Sequence, residues 1–67
     1  MNAMNIPDAL QQAINKLERT GFRVVRIVPN PPEHGGGHVA YLSRRLRTGL
    51  RLAQVEIDEA GQVTTHR

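Results

Sequence analysis

Residues 39–57 read Val39-Ala-Tyr-Leu-Ser-Arg-Arg-Leu46-Arg-Thr-Gly49-Leu50-Arg-Leu-Ala-Gln-Val-Glu-Ile57, two apolar-rich runs separated by a short polar break that ends in glycine. β-Branched and aromatic residues interleaved with polar ones fit a pleated strand with one covered face. A three-residue connection, Arg47-Thr48-Gly49, suits a hairpin whose last loop residue is left-handed. Leu46 then lies opposite Leu50, Arg45 opposite Arg51, Tyr41 opposite Val55 and Val39 opposite Ile57. In that register Val39, Tyr41, Ala53, Val55 and Ile57 share a core face near the base of the hairpin. Near its tip the apolar face is the other one, with Leu42, Leu46, Leu50 and Leu52. The change of side predicts either a bulge near Leu52-Ala53 or a second subunit covering the four leucines as a dimer interface.

Beyond Ile57, Asp58-Glu59-Ala60-Gly61 is a second turn signal leading into Gln62-Val63-Thr64-Thr65-His66. Pairing Ile57 with Val63 and Val55 with Thr65 continues the same core face. Before the hairpin, Phe22-Arg-Val-Val-Arg-Ile-Val28 is a β-branched run stopped by Pro29-Asn30-Pro31-Pro32. The connection 29–37 is stiff at its prolines and loose at Gly35-Gly36-Gly37, so a flexible loop is expected. Further upstream, Ile6, Leu10, Ala13, Ile14 and Leu17 recur at spacings of three and four, the stripe of an amphipathic helix. Asn5 is the expected N-cap, Pro7 and Asp8 suit the first turn, and Gly21 suits the position just past the end. The expectation is a single α+β domain over 1–67: an N-terminal helix at about 7–20 packed on a four-stranded antiparallel meander, with strands at about 22–28, 38–46, 50–58 and 62–66.

A chain of 67 residues without cysteine can have no disulfide scaffold, thiolate metal site or cysteine nucleophile. So short a chain buries only about 60% of its unfolded surface, which makes homodimerisation a natural way to complete the core. No apolar run approaches the roughly 18 residues of a membrane span, and the N-terminus has no basic and apolar leader pattern, so no membrane partner and a cytoplasmic location are expected. The net charge is +3, and residues 19–51 carry seven arginines against Glu33 alone. Arg44, Arg45, Arg47 and Arg51 bracket the hairpin turn, with Arg23 and Arg26 on the first strand as additions. Guanidinium groups suit bidentate contact with phosphate or carboxylate, so these six residues are the candidate site for an anionic partner, nucleic acid or an acidic protein surface. The plainer role of such charges is to keep a sheet from pairing with strangers.

Catalytic signals are thin. Glu33, His34 and His38 around the three glycines, with His66, lack the order and the closed ligand set of a zinc site, and no metal or other cofactor is assigned. No lysine with phosphate-loop spacing follows the glycines. No nucleophile, base and acid fall into a known arrangement, Asp58-Glu59 serves a turn, and no catalytic residue is assigned.

The run Arg23-Val-Val-Arg-Ile-Val28, then Val39-Ala-Tyr-Leu, then Val55-Glu-Ile-Asp58-Glu-Ala-Gly61-Gln-Val63 resembles the helix-plus-strands pattern of PepSY domains over residues 9–63. That likeness implies a binding role, often inhibitory or regulatory, and brings no catalytic residues. Gly21-Phe22 and Gly37-His38-Val39-Ala40-Tyr41 are similar to the corresponding segments of HicA-type mRNA interferase toxins, which would make His38 the catalytic residue. The function expected is that of a small non-enzymatic binding or regulatory module. The alternatives are a HicA-like ribonuclease and a phage- or plasmid-type protein inhibitor.

Overall fold

A computed structural model describes residues 7–66. Helix α1 (Asp8–Glu18) is followed by β1 (Arg23–Pro29), a 3-10 turn at Pro32–His34, β2 (His38–Leu46), β3 (Gly49–Ile57) and β4 (Val63–His66). The strands form one antiparallel sheet in the order β1-β2-β3-β4, and α1 covers one of its faces, the α+β meander that the sequence predicts.

Helix α1 buries Leu10, Ile14 and Leu17, the predicted stripe. Pro7 is the N-cap residue, and its carbonyl accepts the Gln11 N–H at 3.0 Å. Asn5 and Ile6, expected to cap the helix and to open the stripe, lie outside the described residues. At the other end Gly21 takes φ 102°, the Gly21 N–H donates to the Glu18 carbonyl and the Phe22 N–H to that of Leu17. This is a Schellman closure, and the apolar contact that accompanies such closures is made by Phe22 and Leu17, both in the core.

The hairpin register differs from the expected one by one residue. Leu46 pairs with Gly49, Arg45 with Leu50, Arg44 with Arg51, Leu42 with Ala53, Ala40 with Val55 and His38 with Ile57. The connection is therefore Arg47-Thr48 alone, and Gly49, at φ 136°, is already the first residue of β3. A one-residue slip moves every side chain of one strand to the opposite face. It brings Ala40 and Leu42 to the side of Ala53, Val55 and Ile57, and all five are buried in one cluster with Leu10, Ile14, Leu17 and Phe22. The alternation then holds along the base of β3 and from Ala40 to Leu42, with Val39 buried on the opposite face outside that cluster, and no bulge near Leu52-Ala53 is needed. Tyr41 turns to the other face, opposite Gln54 and 39% exposed. The irregularity lies in β1 instead, where the register shifts between Val24 and Arg26 and leaves Val25 bulged and 62% exposed.

The connection expected to be loose is folded on itself. Asn30 N–H donates to the Gly37 carbonyl at 2.9 Å, His34 and Gly36 N–H both donate to Pro31, and the Asn30 side-chain amide donates to the His34 carbonyl at 3.0 Å. All three glycines have positive φ, at 99°, 68° and 78°. Gly37 packs directly on the Ile57 carbonyl and Gly36 on the Glu59 side chain. A Cβ at Gly37 would meet the strand backbone, so that approach needs a residue without one, whereas at Gly36 it would meet only a flexible side chain.

Candidate anion-binding surface

The corrected register divides the arginines between the two faces of the sheet. Arg44 and Arg51 are cross-strand partners on the helix side, beyond the end of α1. There the Arg44 side chain lies across Gly21, and a methyl group at Gly21 would stand 3.3 Å from its Nε. On the open face Arg23 pairs with Ser43, and Arg26 pairs with Tyr41. Arg45 is on that face as well, and Gly21, Arg23, Ser43, Arg45 and Leu50 line one depression. Arg47 sits in the turn between β2 and β3.

All six arginines are exposed. Among the described residues the single ion pair is His66 Nε2 to Glu56 Oε2 at 2.9 Å, so none of the six has a carboxylate within 4.0 Å. Glu56 pairs across the sheet with Val39, while Asp58 and Glu59 lie just past Ile57, at the end remote from the Arg47-Thr48 turn. The sheet is thus polarised along its strands, with carboxylates at the base and unpaired guanidinium groups at the tip. A concentration of one sign of charge focuses the field and attracts counter-charge over about a Debye length.

The four leucines proposed as one interface are separated by the structure. Leu42 is 1% exposed in the core and offers no surface to another subunit, which corrects its place in that set. Leu46 is 36% exposed on the helix side at the tip, whereas Leu50 and Leu52, 65% and 68% exposed, lie on the open face, Leu52 near Tyr41 and Leu50 opposite Arg45. Sequence reasoning misassigned Leu42 because its register put Leu42 and Leu52 on one side.

His38 starts β2, with Pro29 and Ile57 as its strand partners, and its Nδ1 is buried without a hydrogen-bond partner. His34 is exposed on the 3-10 turn, and among the described residues no three of His, Asp and Glu gather where an ion could be held. No helix among them is long and apolar enough to cross a membrane. Comparison with family models, curated proteins and solved structures finds no match to this chain.

One feature of the surface escaped the sequence reading. β4 pairs with only four residues of β3, Gln54 to Ile57, so among the described residues the tip half of β3 has no strand on its outer edge.

Proposed function

We propose that this protein is a non-enzymatic binding module whose arginine-rich hairpin end holds an anionic partner, in the first instance an acidic protein surface. The observation that carries this reading is the group of six exposed arginines with no carboxylate in reach among the described residues. Arginines retained only for solubility would be expected to mix with carboxylates. Leu50 and Leu52 stand exposed among them, and apolar side chains beside arginine are the usual make-up of a protein-binding patch.

Nucleic acid is the second reading, favoured by Tyr41 with Arg26 beside it and Arg23 and Arg45 farther along the open face, where a base could stack and phosphates be neutralised. Phe22 is buried in the core, so Tyr41 would be the one exposed aromatic platform among the described residues. The test is fluorescence anisotropy with labelled poly-glutamate, short RNA, single-stranded DNA and duplex DNA at about 50 and 200 mM salt, a range over which phosphate-driven affinity falls steeply. Salt-sensitive binding of any of these supports the anion-binding surface, and their order assigns the partner class. Absence of binding by all of them at about 50 mM salt overturns it.

A further inference from the structure

The outer edge of β3 is covered along only part of its length. β4 pairs with residues 54–57, whereas β3 starts at Gly49, so Gly49-Leu50-Arg51-Leu52-Ala53 has β2 on one side and, among the described residues, no strand on the other. Unpaired main-chain N–H and C=O groups along a regular strand are a template for a further strand. The opposite edge of the sheet is protected: β1 is bulged at Val25 and ends in Pro29, which lacks an N–H. The β3 edge has neither device. Its side chains alternate, with Leu50 and Leu52 toward the open face and Arg51 beside Arg44 toward the helix side.

We propose that this edge takes up an extended acidic segment of another protein as a fifth strand. The segment alternates apolar residues, which lie beside Leu50 and Leu52, with Asp or Glu, which lie beside Arg51. Main-chain pairing supplies the seat and the alternation supplies specificity. The proposal rests on the anion-binding reading above and names its partner. A second copy of the chain fits the edge less well. Antiparallel self-pairing that sets Leu50 against Leu52 brings the two Arg51 side chains directly opposite, and like charges at that position destabilise a sheet. A nucleic acid offers the charge but no strand to pair.

The test uses the whole protein and a labelled peptide of alternating valine and glutamate. Its controls are the same peptide N-methylated at alternate residues, poly-glutamate, and short single-stranded RNA. The alternating peptide is expected to bind, to weaken between about 50 and 200 mM salt, and to shift the ¹H–¹⁵N amide signals of residues 50–53. N-methylation of the peptide and Arg51→Glu in the protein, with folding checked by circular dichroism, are each expected to weaken binding about tenfold or more. The methylated peptide keeps its charges, so equal binding by both peptides overturns strand addition, as does a shift pattern confined to Arg23 and Arg26. Tighter binding of RNA at the same amides overturns the partner class. A dimer seen by sedimentation and abolished by Leu52→Glu assigns the edge to a second copy. If poly-glutamate or RNA binds but the alternating peptide leaves residues 50–53 unmoved, this proposal fails and the anion-binding reading stands. If no anionic probe binds at about 50 mM salt, both fail.

Discussion

Alanine substitution at each of the three consecutive glycines separates a folded connection from a loose one. Gly35 has φ 99° and nothing within 4 Å of where a Cβ would stand. Gly35→Ala therefore meets only the backbone penalty of a left-handed L-residue, about 1–2 kcal/mol. Gly36, at φ 68°, has the Glu59 side chain in the way, but a flexible carboxylate can swing aside. Gly36→Ala is expected to cost the same or slightly more. Gly37, at φ 78°, has the Ile57 carbonyl in the way, and that oxygen belongs to the strand backbone and cannot rotate away. Adding a local overpacking cost of about 1–3 kcal/mol puts Gly37→Ala at about 2–5 kcal/mol. At about 0.05–0.15 kcal/mol per residue the whole domain has about 3–10 kcal/mol, so Gly37→Ala removes a large share of it. Urea unfolding followed by circular dichroism measures the three values, and in a domain this size each kcal/mol moves the thermal midpoint by about 4–8 °C. In a loose loop the sign reverses: Gly→Ala would stabilise by about 0.4–1 kcal/mol through the unfolded state. Three small stabilising values, or a Gly37 variant no worse than the Gly35 one, would refute the reasoning.

The hairpin register is tested by Leu42→Ala, expected to cost about 2–5 kcal/mol as a core truncation, against Leu50→Ala, expected to stay within about 0.5 kcal/mol; equal effects in urea titrations would restore the one-residue-shifted register. Gly21→Ala places a methyl group in the left-handed helix closure and against Arg44, so a loss of about 1–2 kcal/mol is expected in thermal unfolding. Replacement of Arg44, Arg45, Arg47 and Arg51 together by glutamine is expected to keep the far-ultraviolet circular dichroism spectrum and to abolish salt-sensitive binding of anionic probes. Unfolding of that variant would show that the arginines support the fold instead.

Much of the fold is legible in the chain because its signals are local. The spacing of Leu10, Ile14 and Leu17 needs only the helical period, and Gly21, Gly49 and Gly61 fall where the backbone turns with positive φ. The hairpin register was not legible, because Arg47-Thr48-Gly49 is compatible with a two- or a three-residue connection. Each alternative leaves some apolar residues outside the core, and local sequence does not weigh them. For the candidate site, the arginines were legible as a cluster but their distribution over two faces depended on that register. The close approaches at Gly37 and Gly36 were not legible because they come from Ile57 and Glu59, twenty or more residues away.

Composition and pattern by themselves determined the class of the fold, the order of its elements and the excess of arginine around one turn, since these depend on neighbours within a few residues. Tertiary structure decided which side chains share a face. Only the helix, laid across the sheet by Leu10, Ile14 and Leu17, gives Ala40 and Leu42 a core to enter; burying them there excludes Tyr41 and leaves Leu50 and Leu52 outside. It decided as well how far β4 covers β3, because strand cover depends on two lengths and a register, and among the described residues they leave Gly49 to Ala53 without an outer partner.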